Sequence, residues 1–321
     1  MRVLLTTTSY QDTPGPHHEL LSQSGHEVVT ERGPLPEKRM LELVRSGDGF
    51  DGILHGDDQI TAAVIDAALP RLKALSKYGI GLDSVDVAAA TQRKVPVLYT
   101  PGVNHTTVAE HTFGLLINLT KLIWVHINHV KQGQWTRTTG HELAGKTMGI
   151  LGLGRIGKEV AKRARAFQMY LIGYDIYWDE PFAQQHGVFR AENLDEVVAK
   201  ADVVSLHMNL TEENRHCINR RRIAKMKDGA IVLNCSRGGL VHEQDIAEAC
   251  RSGKLGGYGA DVLETEPVTT PHPFQKIDNI LITPHIASRT FQSVQRQAVM
   301  ATENLLRVLQ GQPPLAQANP F

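Results

Sequence analysis

The chain has 321 residues, 41% of them hydrophobic, which suffices for a large core and suggests about two domains. Lysine plus arginine and aspartate plus glutamate both total 34, and a formal charge of zero excludes the broad positive footprint of a nucleic-acid-binding protein. Three cysteines make no disulfide framework, and the N-terminal apolar run is too short for a secretion signal; with no apolar run of bilayer length, a cytoplasmic protein with no membrane partner is expected.

In chain order, "VLLTT", "EVVTE", "GILHG", "LKALS" and "VPVLY" read as short strands, separated by helical segments such as "PEKRMLELVRSG" and "TAAVIDAAL". The alternation resumes with "TMGILGLG", "YLIGYD", "DVVSLHM", "GAIVLN", "YGADV" and "NILITP". Strands spaced by single helices predict an α/β protein with parallel sheets covered on both faces. Between the two series, one long helix is expected from Asn104 to Lys131, with Asn104 or Thr106 as N-cap and Gly133 as stop. Its apolar residues, among them Phe113, Leu116, Leu119, Ile123 and Ile127, spread around most of the circumference, so it needs burial between domains or in a subunit interface. The tail "GQPPLAQANPF" reads as an irregular end.

"GILGLGRIGKEVAKRA" carries Gly152-x-Gly154-x-x-Gly157 after a strand and at the mouth of a helix. The first glycine permits the tight turn, the second lets a pyrophosphate approach the backbone, and the third allows close helix–strand packing. The next strand ends in Asp175, placed to bond both ribose hydroxyls and to repel a 2′-phosphate. The reading is a dinucleotide site that prefers NAD to NADP.

"VLNCSRGG" then sets Cys235, Ser236 and Arg237 side by side at a strand end. Cysteine or serine there would suggest a covalent nucleophile, arginine a clamp for an anionic substrate. Glu266 and His285 follow two later strands, and ligands of open parallel sheets bind beyond the carboxyl ends of strands. His285 can move the proton that accompanies reduction of a carbonyl, Glu266 beside it would favour the imidazolium, and Arg237 can bind a carboxylate or a developing oxyanion. Taken singly, each has an ordinary alternative: a loop histidine, a solvated glutamate, an arginine paired with a local acid.

The phrases "LGLGRIGKEVAKRA", "LNCSRGGLVHEQDI", "GADVLETEP" and "ITPHIAS", with "KYGIGLDSVDVAAA" and "TPGVNHTTVAEHTFGLLI" earlier, resemble the D-isomer-specific 2-hydroxyacid dehydrogenase family from about Leu72 to Gly311. The nearest branch is the D-3-phosphoglycerate dehydrogenase-like one, without a C-terminal regulatory domain. The resemblance implies two Rossmann-like or flavodoxin-like doubly wound domains, with the NAD-binding domain (102–289) inserted into a substrate-binding domain (1–101 and 290–321). It implies Arg237, Glu266 and His285 as the catalytic set. Arg155 and Ile156 are implied on the pyrophosphate, Met208, Cys235 and Ser236 along the cofactor, and Asp261 near the nicotinamide carboxamide. It implies that Tyr78, Gly79, Ile80 and Gly81 offer backbone N–H groups to the substrate carboxylate, and that the long helix joins a homodimer. A dinucleotide-sensing corepressor and an S-adenosylmethionine enzyme are the rival readings.

One stretch departs from the branch. Phosphoglycerate dehydrogenases commonly carry Arg-Ser after the third strand of the substrate domain, where this chain has His55 and Gly56, then Asp57 and Asp58. Two carboxylates would oppose a phosphate unless Lys77 compensates, or unless Asp57 or Asp58 caps the next helix. A small 2-oxo acid such as glyoxylate or hydroxypyruvate is therefore expected to compete as substrate. His126 and His129 show zinc spacing but lack further ligands, so no metal is expected; "NRRRIAKMK" reads as a solvated face, and Cys217 and Cys250 as inert thiols.

Overall fold

The computed structural model describes residues 1–321. The chain divides into two compact units, one formed by Met1–Asn104 with Arg289–Phe321, the other by His105–Ser288.

The first unit is a five-stranded sheet of β1 (Arg2–Leu5), β2 (Glu27–Thr30), β3 (Gly52–His55), β4 (Ala74–Lys77) and β5 (Val97–Leu98), in the order β2-β1-β3-β4-β5. Every pair is parallel, which is the flavodoxin-like order. Alternate side chains serve opposite faces. Leu4, Ile53, Leu75 and Val97 pack beneath the helices Glu37–Val44, Ala62–Ala68 and Val87–Gln92. Val3, Leu5, Leu54, Ala74 and Leu98 pack beneath the last helix, Phe291–Leu309. That helix is capped by Thr290, whose side chain accepts the Ser293 N–H, and the Ser76 hydroxyl donates to the Ala301 carbonyl at 2.8 Å. The C-terminal tail, expected to be irregular, is pinned to the edge strand: Asn319 accepts the Val97 N–H at 2.7 Å and donates to the Val95 carbonyl at 2.9 Å.

The second unit is a seven-stranded parallel sheet of β6 (Thr147–Leu151), β7 (Tyr170–Tyr174), β8 (Val188–Arg190), β9 (Val203–Leu206), β10 (Ala230–Asn234), β11 (Leu255–Ala260) and β12 (Ile280–Ile282), in the order β12-β11-β10-β9-β6-β7-β8. The order reverses between β6 and β9, so the crevice beyond their carboxyl ends is the topological switch point of a Rossmann-type sheet. Met148, Ile150, Val203, Ile231 and Leu233 face one layer of helices, while Leu151, Val204, Leu206, Val232 and Tyr258 face the other. Nothing in the residue pattern announces β8, whose three residues are too few for a visible alternation.

Two expectations need correction. The helix expected over Asn104–Lys131 is two helices, His105–Lys121 and Ile123–Lys131, broken at Leu122, which takes a left-handed φ of 53°. The Thr120 carbonyl, which a continuous helix would bond to Trp124, instead accepts the N–H of His141 at 2.8 Å from a crossing loop. The first helix is buried along one side, whereas the second buries no residue. The helix also begins at His105, and Asn104 before it makes no capping bond through Oδ1. Nor does Asp57 or Asp58 cap the helix Ala62–Ala68: its cap is Thr61, which accepts the Val64 N–H. Asp58 is buried and accepts from Thr6 Oγ1 at 2.6 Å, the Leu35 N–H at 2.7 Å and the Gly56 N–H at 3.0 Å.

Burial lowers the pKa values of several histidines. His207 falls to about 3, and burial likewise lowers His55 and His17. In the unfolded chain these rings titrate near ~6.5, so between there and the folded values the unfolded state binds protons that the folded state refuses. Stability is therefore full above pH ~6.5 and lost as pH falls, by up to about 1.4 kcal/mol per pH unit for each such ring. Urea unfolding at pH 7 and pH 5 should show this loss, and His55→Gln should reduce the difference between the two pH values. An equal difference in that variant would contradict the assignment.

Candidate active site

The site is built at the carboxyl ends of β6, β7, β9, β10, β11 and β12. After β6 the chain turns through Gly152 and enters the helix Arg155–Ala166. Gly152 has φ 99°, and a Cβ on it would stand 2.6 Å from the His207 carbonyl of the loop after β9. A Cβ on Gly157 would stand 2.0 Å from the Gly152 carbonyl, so helix and turn meet at a separation that only glycine allows. Gly154, the N-cap, has nothing within 4 Å of its Cβ position and supplies no side-chain cap. The helix therefore presents its first-turn N–H groups and its positive dipole end without an internal acceptor from the cap residue. Arg155 is exposed there and Ile156 half-buried.

Asp175 follows β7. One carboxylate oxygen accepts the Leu153 N–H at 2.5 Å and the other the Tyr177 N–H at 2.8 Å. The acid is thus fastened to the glycine turn itself and stands half-buried at its rim. An open cradle of amides, a glycine floor and an anchored acid on the neighbouring strand fit a dinucleotide.

Met208, Cys235 and Ser236 line the next strand ends. Ser236 Oγ donates to the Met208 carbonyl, which ties the loop after β9 to the turn after β10. Burial pushes the Cys235 thiol up to about 12, and Cys217 and Cys250 up to about 11 and about 12. These thiols stay protonated near neutrality, which argues against Cys235 as a nucleophile, and the Ser236 hydroxyl is engaged with the Met208 carbonyl. Asn234 Nδ2 donates to the Arg237 carbonyl at 2.9 Å and its Oδ1 accepts the Ser236 N–H at 3.1 Å, fixing the turn that carries Arg237.

His285 Nδ1 lies 2.8 Å from Glu266 Oε2. The other carboxylate oxygen accepts the Leu263 N–H at 2.9 Å, and His285 itself sits at a left-handed φ of 54°. Asp261 explains how that conformation is held. It is buried and accepts from the N–H groups of Ile286 and Ala287 at 2.8 and 2.7 Å and from Thr283 Oγ1 at 2.6 Å. Thr283 Oγ1 in turn lies 2.8 Å from His111 Nε2. Asp261 thus shapes the loop around His285. Sequence reasoning misses Asn234, Thr283 and His111, whose roles depend on partners that no motif names.

Tyr78, Gly79, Ile80 and Gly81 belong to the first unit, after β4. Gly79 donates its N–H to Thr100 Oγ1 at 3.0 Å and accepts from the Thr100 N–H at 2.9 Å. No group of three or more His, Cys, Asp or Glu side chains is placed to hold a metal ion, and no helix is long and apolar enough to cross a membrane.

A doubly wound sheet with a glycine turn and anchored acid at its switch point, and a histidine–carboxylate pair at the same strand ends, fits the class of nicotinamide-dependent oxidoreductases. Residues 113–287 match the model for "D-isomer specific 2-hydroxyacid dehydrogenase, NAD binding domain". A glyoxylate reductase of Thermofilum pendens is 39% identical over 316 residues, covering 95% of this chain and 92% of that protein. A D-3-phosphoglycerate dehydrogenase of Methanocaldococcus jannaschii is 35% identical, covering 97% of this chain and 58% of that protein. The crystal structure of TT0316 protein from Thermus thermophilus superposes with a TM-score of 0.89 at 37% identity, covering 99% of this chain and 100% of that one. The chain belongs to the D-isomer-specific 2-hydroxyacid dehydrogenase family: it is an enzyme, and NAD is its cofactor.

If the Asp175 carboxylate selects against a 2′-phosphate, Asp175→Ala should lower kcat/KM with NADH while raising it with NADPH. A tenfold narrowing of the ratio corresponds to ~1.4 kcal/mol. An unchanged ratio would place cofactor choice elsewhere.

Proposed function

We propose that this dehydrogenase reduces a small, unphosphorylated 2-oxo acid of the glyoxylate or hydroxypyruvate type, with His285, Glu266 and Arg237 as its catalytic residues. The bond between His285 Nδ1 and Glu266 at 2.8 Å carries the reading. It commits Nδ1 to the carboxylate and makes Nε2 the nitrogen that gives a proton to the C2 oxygen. Glu266 fixes the ring's orientation and balances its positive charge. Arg237 holds the substrate carboxylate and stabilises charge developing on the C2 oxygen. In the first unit, the loop Tyr78–Gly81 is the substrate-binding segment, through the backbone N–H groups of Ile80 and Gly81, Gly79 being engaged with Thr100. The chemistry that a bound nicotinamide would supply is hydride transfer, to C2 from the reduced form or from C2 to the oxidised form. Asp175 holds the ribose, the amides around Arg155 and Ile156 hold the pyrophosphate, and Met208, Cys235 and Ser236 line the groove.

The unphosphorylated substrate follows from the end of β3. His55 and Gly56 offer no fixed cation there, and Lys77 Nζ is buried against Asp57 at 2.5 Å and the Gly56 carbonyl at 2.6 Å. A dianionic phosphate near this place meets an ammonium whose charge Asp57 already balances, and the negative Asp58 carboxylate besides.

A homodimer is supported by the helix Ile123–Lys131. It buries none of its residues, and exposes Ile127 at 48% and Val130 at 56%, with Trp135 beyond it at 79%. Such an apolar strip asks for a covering surface, and a second copy of the same helix supplies one. A cytoplasmic location accords with three unpaired thiols.

NADH oxidation measured with glyoxylate, hydroxypyruvate, pyruvate and phosphohydroxypyruvate at matched concentrations tests the substrate class; strong preference for the phosphorylated acid would overturn it. His285→Ala should lose about 10²–10⁴-fold in kcat while still binding NADH, and near-normal turnover would sink the acid–base assignment. For the dimer, Ile127→Glu should sediment as a monomer where the parent chain sediments as a dimer.

A further inference from the structure

The catalytic pair is only as well placed as the loop that carries Glu266. That loop, 262–267, leaves β11 and is exposed from Glu264 onward. Glu266 takes its position from the Leu263 N–H, so contacts that hold the backbone at Leu263 and Glu264 help to hold the carboxylate against His285.

Three sets of contacts hold Leu263 and Glu264, two through their shared peptide and one through the Glu264 side chain. The Glu264 N–H donates to Glu243 Oε1 at 2.9 Å, and Glu243 is itself paired through Oε2 with His272 Nε2 at 3.2 Å. The backbone of Gly238 presses against it, since a Cβ there would stand 2.0 Å from the Leu263 carbonyl. The Glu264 carboxylate reaches His216 Nε2 at 2.7 Å, with Arg215 3.7 Å away.

His216, like Gly238, touches both arms. Its ring holds Glu264, and its own N–H donates to the Gly239 carbonyl at 2.7 Å, in the turn immediately after Arg237. The neighbouring Ile218 continues the attachment by donating to the Leu240 carbonyl at 3.0 Å. His216 also adopts a left-handed φ of 51°, uncommon for a non-glycine residue. A chain of contacts therefore runs from Arg237 through Gly239, His216 and Glu264 to Leu263, Glu266 and His285. The His216 and Glu264 side chains are about one-third exposed, at 32% and 34%. As a plain surface ion pair they would contribute little to stability.

We propose that His216 and Glu264 form a positioning brace that sets the Glu266 carboxylate and the Arg237 turn at a fixed separation for proton transfer and substrate binding. The brace rests on the catalytic reading above. Neither residue touches the reacting atoms; both act through the loop and the turn they join.

The test uses the full chain with glyoxylate and NADH. His216→Ala and Glu264→Ala should each lower kcat by about 10- to 100-fold, the scale of a small misplacement of reacting groups. The dissociation constant for NADH and the unfolding temperature should stay near those of the parent. The double variant should be no slower than the slower single one, because both substitutions open the same link. Glu264→Gln keeps an acceptor for His216 and should recover kcat to within about threefold, an outcome that general loosening of the fold would not give. Alanine variants with kcat within twofold of the parent would overturn the brace, as would losses that multiply in the double variant. His285→Ala measured alongside separates the two ideas. If it is inactive while the brace variants are normal, the brace alone fails; if it is active, the catalytic reading fails and takes the brace with it.

Discussion

The NAD-binding unit depends on an approach that only a hydrogen atom permits. The helix Arg155–Ala166 starts directly on the turn that ends β6, because Gly157 presents no Cβ to the Gly152 carbonyl. That contact aims the helix dipole and its first amides past the end of the sheet. It also keeps the Leu153 N–H where Asp175 can bind it, so the acid of β7 is set by the turn of β6. The turn presses in turn on the loop after β9, at the His207 carbonyl. Any side chain at Gly157 would push these parts asunder together, and with them the geometry of the cofactor cradle.

Charge is handled differently in the two units. Around His285 the carboxylates are arranged so that each has a defined donor: Glu266 takes Leu263 and His285, and Asp261 takes two amides and Thr283. Fully paired acids of this kind hold loops rigidly at strand ends, where loops otherwise move most. In the first unit, a buried ammonium, Lys77, meets Asp57, while Asp58 is used wholly for three internal donors. Charges that look in the sequence like a surface cluster are largely structural.

The parallel α/β class was legible because buried strands of Val, Ile and Leu alternate with amphipathic helices, and the glycine spacing with Asp175 marked the cofactor turn. What escaped had local causes. β8 is three residues long. The break at Leu122 stands at the start of the apolar run Leu122–Val125, with no glycine or proline to mark it, and it accompanies a bond from the His141 N–H, 21 positions away, to the Thr120 carbonyl. The helix cap at Thr61 rather than Asp57 or Asp58 follows from a long-range partner too, since Asp58 is drawn to Thr6 just beyond β1. In the site, the pairing of His285 with Glu266 was readable from strand ends, whereas Asn234, Thr283 and His111 became visible only with the groups they bind. Motifs report residues that meet a ligand; they say little of those that meet the main chain.

The first unit is assembled from both ends of the chain, and this orders events in time. Its sheet lies half bare until the helix Phe291–Leu309 covers Val3, Leu54 and Ala74, and its edge at β5 stays open until Asn319 arrives. On a ribosome, residues 1–104 of this unit are made before the other unit, and their completing segment, beginning at Arg289, after it. The unit between them, His105–Ser288, is continuous in sequence. The newborn N-terminal segment must therefore wait, with apolar strands uncovered, through the synthesis of a whole domain, and is the part of this protein most in need of shelter while it is being made.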